Sequence, residues 1–143
     1  MANKAAKTAY YVDADLLGLA KFLVQIRSDV TFPGDPGGLN RDHRLRPPCV
    51  ITTPATPDQE WIPVVAEQGW IVITKDSAIG RSPRLRELVI ECGARLIAIA
   101  ARGKMRTWDH LVVVTSVWSK IEALAEVPGP WMYRATRSGL ARM

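Results

Sequence analysis

The chain has 143 residues, of which 48% are hydrophobic and 23% charged, the composition of an ordinary globular protein. We therefore predict a single domain over residues 1–143, with a disordered N-terminus over 1–8. The formal net charge of +5 favours a polyanionic partner such as RNA or DNA, although a solvated basic surface would give the same charge. No apolar run approaches the roughly 20 residues that cross a bilayer, and two cysteines without CxxC spacing exclude a disulfide framework. We expect a cytoplasmic protein with no membrane partner.

Strands and helices alternate through the first half of the chain. After Asp15, which we expect to be a helix N-cap, apolar residues follow the helical period as far as Arg27 and predict a helix there. Residues 33–57 are rich in proline and glycine, and they are expected to form a long loop. The strands predicted in this half are residues 9–13, 30–32 and 50–53.

The second half continues the same alternation. Thr56 as N-cap, Pro57 at the first helical position and Gln59 closing a capping box predict a helix that ends at Gly69. The remaining predicted elements are strands over 70–75, 95–100 and 131–136, helices over 85–92 and 111–125, and a basic tail over 138–143. This order predicts an α/β fold with three layers, α/β/α, around a central and mostly parallel sheet.

Aspartates follow two of the predicted strands. Asp13 ends the strand over 9–13, and Asp76 comes directly after the strand over 70–75. The carboxyl ends of parallel strands share one edge of the sheet, where α/β proteins bind ligands. Asp58 opens the helix that leads into the second of these strands, so the chain turns on the same edge there. The plain alternative is that each aspartate caps a helix or interacts favourably with its dipole.

These three carboxylates predict a metal site. Carboxylates that repel one another are costly unless a cation neutralises them, and Mg²⁺ and Mn²⁺ prefer oxygen ligands. We therefore predict that Asp13, Asp58 and Asp76 bind Mg²⁺ or Mn²⁺. Asp35, in the long loop, is a candidate fourth acid, with a turn residue as the alternative. Asp109 is expected to be a helix N-cap.

Several other kinds of site have no support in the sequence. No GxxxxGK[ST] or GxGxxG run is present to bind a nucleotide, and no GxSxG run is present for a hydrolase nucleophile. The two histidines, His43 and His110, do not form a spaced Cys/His set, so zinc is not expected.

Positively charged side chains occur in clusters that suit a phosphate backbone. Trp131 and Tyr133 lie beside the last cluster and could stack on nucleobases, although positions in the core are the favoured alternative. The clusters are Arg41, Arg44 and Arg46; Arg81, Arg84 and Arg86; Arg102, Lys104 and Arg106; and Arg134, Arg137 and Arg142.

Five segments of the chain form a recognisable pattern together. They are Val12-Asp13, Thr56 to Ile62, Gly69 to Asp76, Phe32 to Asp35 and Pro128 to Tyr133. This pattern resembles the PIN-like nuclease superfamily and is most similar to the PIN-like toxins of VapC type from bacterial toxin–antitoxin pairs. The similarity extends from about residue 10 to residue 138.

The resemblance implies a PIN-like, Rossmann-like fold and a metal-dependent endoribonuclease that hydrolyses RNA. By position, Asp13, Asp58 and Asp76 match the catalytic and metal-binding acids of the family, and Thr74 matches the supporting hydroxyl residue. The resemblance also implies RNA as the substrate, Mg²⁺ or Mn²⁺ as cofactor and a cognate antitoxin as a partner protein. A homodimer is a candidate assembly.

The sequence departs from the family pattern at two positions. The family has a further acid, often Glu, between the first and third acids, and Asp35 is the nearest residue to that position here. A second acid often follows two residues beyond the acid of the Thr-x-Asp strand, where this chain has Ala78. A non-catalytic module that binds nucleic acid or protein on the same fold is therefore the alternative function.

Overall fold

The fold is built around one sheet, seen in a computed structural model that describes residues 5–75 and 82–143. Asp76, Ala78 and Arg81 lie outside the described residues. The strands are β1 (Tyr10–Val12), β2 (Val30–Thr31), β3 (Gly38–Leu39), β4 (Leu45–Arg46), β5 (Ile71–Lys75), β6 (Arg95–Ile99), β7 (Trp131–Thr136) and β8 (Gly139–Arg142). The helices are a 3-10 turn (Ala14–Leu16), α1 (Leu17–Ile26), α2 (Asp58–Gln68), α3 (Pro83–Cys92) and α4 (Thr107–Leu124).

The main sheet has the strand order β2-β1-β5-β6-β7-β8. All neighbouring pairs are parallel except β7 and β8, which are antiparallel. Helices α1 and α4 cover one face of the sheet, and α2 and α3 cover the other. The predicted three-layer α/β/α architecture with a mostly parallel sheet is therefore confirmed.

The central strand β5 shows why the sequence adopts this architecture. Ile71 and Ile73 pack into the core beneath α1 and α4, while Val72 packs into the core beneath α2 and α3. Because both faces are covered, the strand is a continuous apolar run rather than an alternating one. Gly69 ends α2 in the left-handed conformation, with φ of 75°, and leads directly into β5.

Helices α1 and α4 approach each other closely at their N-terminal ends. Gly18, in the first turn of α1, lies against the side chain of Thr107, the first residue of α4, and a Cβ atom at this position would collide with the threonine hydroxyl. A side chain at position 18 would therefore force Thr107 to move, so the packing of the two helices, and not the backbone conformation of α1, favours glycine there.

The long loop contains structure that its composition did not predict. Residues 38–46 form the antiparallel hairpin of β3 and β4, whereas the strand predicted over 50–53 is not formed. The N–H of Ala6 donates to the carbonyl of Leu45 at 2.7 Å, so part of the N-terminus predicted to be disordered is attached to this hairpin. The predicted basic tail also includes a strand, since Gly139–Arg142 form β8 at the sheet edge.

Three predicted helix caps are wrong. Asp15 lies inside the 3-10 turn, which Asp13 caps, and Leu16 is the N-cap of α1. Helix α2 has Pro57 as its N-cap, because the hydroxyl of Thr56 donates to the carbonyl of Thr53 instead of capping the helix. Helix α4 has Arg106 as its N-cap, and Asp109 lies at the third helical position, where it accepts from the N–H of Arg106 at 2.8 Å. No helix in the described part of the chain is long and apolar enough to span a membrane.

Candidate active site

Asp13 lies at the carboxyl edge of the sheet and is fixed there by three hydrogen bonds. Its N–H donates to the carbonyl of Ile73 at 2.9 Å, which extends the pairing of β1 with β5. Its Oδ1 accepts from the N–H of Ala14 at 2.7 Å, so the side chain caps the 3-10 turn. Its Oδ2 accepts from the hydroxyl of Thr74 at 2.9 Å. The carboxylate is therefore positioned before any ligand binds.

Asp15 lies beside Asp13, although the sequence predicted it only as a helix cap. Its Oδ2 lies 3.3 Å from the hydroxyl of Thr74 and accepts from the N–H of Lys75 at 3.3 Å. The fully buried Thr74 thus shares a single hydroxyl proton between two carboxylates. The 3-10 turn brings the second aspartate back over the sheet edge, and the Asp-x-Asp spacing directly after a strand was the signal that could have predicted it.

Both carboxyl groups have a pKa above its usual value. Burial raises the pKa of Asp13 to about 6, and the charge of Asp15 adds to this effect. Partial desolvation also raises the pKa of Asp15, against the opposing effects of Lys75 and Thr74. Two carboxylates and a hydroxyl are an oxygen-only, electron-rich donor set, which fits Mg²⁺ or Mn²⁺ and does not fit a soft metal.

Asp58 faces the same region from the start of α2. Its Oδ1 accepts from the indole N–H of Trp61, one helical turn further on, at 2.8 Å. The charge of Asp58 contributes to the raised pKa of Asp13 and of Tyr11. Across residues 5–75 and 82–143, no group of three His, Cys, Asp or Glu side chains is close enough together to hold a metal. The ligand role of Asp76 remains a prediction.

Asp35 has a structural role that its position in the sequence did not indicate. Arg46 donates to its Oδ2 at 2.6 Å and to its Oδ1 at 2.9 Å, both side chains being buried. The hydroxyl of Thr31 and the N–H of Gly37 also donate to this carboxylate. Its charge is thus already neutralised, so Asp35 is not available as a fourth acid. Arg46 is correspondingly not part of a basic surface.

A second unpredicted group lies next to the carboxylates. A cavity of about 90 Å³ is lined by Lys75, Ile99 and His110, among others. His110 is buried at the start of α4, and this burial lowers its pKa.

Trp131 is buried and donates its indole N–H to the carbonyl of Val127, so it is a core residue.

Comparison with known proteins gives two matches. A model of the PIN-like domain family matches residues 10–101. A protein of Mycobacterium tuberculosis named "Putative ribonuclease VapC45" is 31% identical over 86 residues, which are 60% of this chain and 62% of that protein. The chain thus aligns with less than two thirds of this relative's length. No solved structure matches the chain. The family predicted from the sequence is confirmed by the family model.

Proposed function

Since this chain belongs to the PIN-like domain family, we propose that it is a metal-dependent endoribonuclease that hydrolyses RNA phosphodiester bonds. The observation that carries this proposal is the pair of carboxylates, Asp13 and Asp15, joined through the hydroxyl of Thr74. The name of the mycobacterial relative supports the same reaction class.

The residues of the site have separate roles in this proposal. Asp13 and Asp15, with Asp58 and Asp76, would hold Mg²⁺ or Mn²⁺ at the carboxyl edge of the sheet. When bound, the ion supplies Lewis acidity for the attack of water on a phosphodiester and for the departure of the leaving oxygen. Thr74 orients both carboxylates, because its hydroxyl contacts each of them. Cationic side chains near this edge would bind the RNA backbone.

The activity is tested with Asp13→Asn. The variant keeps the size of the side chain but loses its charge. We expect the rate at which a single-stranded RNA is cleaved in Mn²⁺ to fall by at least about 100-fold. Even substitutions of residues that only hydrogen-bond to metal ligands lower activity by about 10–100-fold. Asp42→Asn is the matched control, because Asp42 is an exposed acid in the β3–β4 turn. Cleavage retained by Asp13→Asn would contradict the proposal.

A module that binds nucleic acid without cutting it is the second candidate function. It is favoured by the sequence, which has Ala78 where the family often has a second acid after the Thr-x-Asp strand. A metal that binds only the folded state would add about 2.7 kcal/mol to its stability at a concentration 100 times the dissociation constant. Thermal unfolding with and without Mn²⁺ therefore separates the two functions, and an unchanged midpoint at millimolar Mn²⁺ supports the binding module.

We further propose that the chain is the toxin of a toxin–antitoxin pair and acts in the cytoplasm. Support comes from the family match and from two free cysteines, Cys49 and Cys92, which suit a reducing compartment. Expression in a bacterium should arrest growth, and the protein encoded by an adjacent small reading frame should relieve the arrest. Growth arrest that persists with Asp13→Asn would argue against RNA cleavage as its cause. A homodimer stays a prediction.

A further inference from the structure

A cavity outside the carboxylate site lies where β6 and β7 end and α4 begins. Its volume is about 300 Å³, and we call it the β6–β7 pocket. Its polar lining includes Arg102 and Lys104 from the loop after β6, and Arg137 and Ser138 from the turn after β7. These segments are far apart in sequence, so the sheet topology is what assembles the pocket.

The charge of the β6–β7 pocket favours an anion. Arg102, Lys104 and Arg137 are exposed cations, and Asp109 is the one carboxylate in the lining. The Asp109 carboxylate already accepts from the N–H of Arg106, so it is partly satisfied within the protein. The hydroxyls of Thr136 and Ser138 lie 3.0 Å apart and add further donors. Three cations against one carboxylate leave the lining positive.

The remainder of the lining is apolar, which distinguishes this pocket from a bare phosphate site. Met105, Val113 and Ala135 contribute to it, and Val113 and Ala135 are buried. Small-molecule pockets begin at roughly 300 Å³, a volume larger than a phosphate group alone fills. A nucleotide has both parts that this lining can bind, an anionic phosphate and a flat, partly apolar base and sugar.

The β6–β7 pocket lies on the same edge of the sheet as the carboxylate site, since β1, β5, β6 and β7 are parallel. The smaller cavity beside His110 shares Ala100 and Met105 with it and is also lined by Lys75. The N–H of Lys75 in turn donates to Asp15. Because neighbouring strands are about 4.8 Å apart, the ends of β6 and β7 lie roughly 10–14 Å from the end of β1. A strand of nucleic acid at the carboxylates therefore reaches the pocket within a few nucleotides.

We propose that the β6–β7 pocket is a nucleotide subsite that binds a non-scissile nucleotide of the RNA, with Arg102, Lys104 and Arg137 holding its phosphate. The ligand is named a substrate on the strength of the proposed function, but the binding itself does not depend on cleavage. The pocket would fix where along a bound strand the carboxylates act.

The first experiment measures affinity without divalent metal. We compare Arg137→Gln with the wild type by fluorescence anisotropy, using a labelled single-stranded RNA between about 50 and 200 mM salt. One lost phosphate contact should lower the slope of log affinity against log salt by about 0.7. Lys21→Gln is the control, since Lys21 is an exposed cation on α1 that belongs to none of the positive clusters. An equal effect of the two variants, or no binding by the wild type, would overturn the proposal.

The second experiment locates the contact along the strand. Single methylphosphonate linkages, which are neutral, are placed one at a time in the RNA. The wild type should lose affinity at one particular linkage, and Arg137→Gln should be insensitive at that same linkage. An identical profile in the two proteins would overturn the proposal. If the wild type loses affinity at one linkage but never cleaves RNA, the ribonuclease function is refuted and the proposal of a nucleotide subsite is still supported.

Discussion

Two aspartates that follow neighbouring strands differ in whether the protein neutralises their charge. Asp35 follows β2, is 3% exposed, and has its charge neutralised by Arg46. Asp13 follows β1, is half-buried, and faces another carboxylate. In the part of the chain that the structure describes, no ion pair involves Asp13. The chain supplies a cation to the first aspartate, whereas at the second the proposed metal ion would supply one.

The contrast predicts opposite effects of removing charge at the two sites. At Asp35, the protein's own arginine completes the site, so the pair stabilises a loop that composition alone would leave irregular. At Asp13, the uncompensated charge costs stability in the metal-free protein. Such a cost is typical of groups that act on a ligand.

The largest effect is expected from Arg46→Met. This change leaves the Asp35 carboxylate buried without its cation, which costs about 3–5 kcal/mol of unfolding free energy. Urea denaturation measures the loss. The partly exposed pair of Arg27 and Asp29 at 2.8 Å is the control, and Asp29→Asn should cost less, about 1 kcal/mol. Similar losses in the two variants would remove the distinction between the sites.

A smaller effect of opposite sign is expected from Asp13→Asn. Its folded pKa of about 6, against a usual 3.8, means that the charged form is disfavoured in the folded protein. At 1.36 kcal/mol per pKa unit, and allowing for partial exposure, the variant should be about 1–2 kcal/mol more stable than the wild type at pH 8 without metal. Urea denaturation in EDTA checks this. Asp42→Asn should stay within about 0.5 kcal/mol of the wild type.

The same difference should disappear in acid. Above about pH 6 the Asp13 carboxyl is charged in both folded and unfolded protein, so the wild type carries the full cost. Below about pH 4 it is neutral in both states, so the cost is gone. The stability advantage of Asp13→Asn should therefore shrink steadily as the pH falls from 6 to 4. A constant advantage across this range would mean that the titration of Asp13 is not its source.

The smallest effect is expected from Thr74→Val. Valine keeps the shape of the side chain but removes the hydroxyl that both carboxylates share, so we expect a loss of about 0.5–1.5 kcal/mol. Since the hydroxyl lowers the pKa of Asp13, that pKa should rise further in the variant. Carbon-13 NMR titration of the carboxyl carbon measures the change. Thr115→Val is the control, because Thr115 lies on the exposed face of α4.

The sequence predicted the architecture better than the pairing of its charges. Continuous apolar runs and the glycines that end helices predicted the order of strands and helices, because these signals are local in the sequence. Asp15 was missed because the 3-10 turn that returns it to the sheet edge has no strong sequence signature. Asp35 was predicted as a candidate fourth acid or a turn residue, and its ion pair was missed because Arg46 lies eleven residues away in an irregular loop. Asp76 lies outside the described residues.

The contact between Gly18 and Thr107 connects the carboxylate site to the β6–β7 pocket. Helix α1 follows directly from the turn that carries Asp15, and α4 begins beside the β6–β7 pocket. Because Gly18 has no side chain of its own and packs directly against the side chain of Thr107, the two helix ends act as a short spacer between these two places. A larger residue at position 18 should displace Thr107 and the start of α4, so that, if the proposed subsite binds RNA, the cleavage position along the strand should shift.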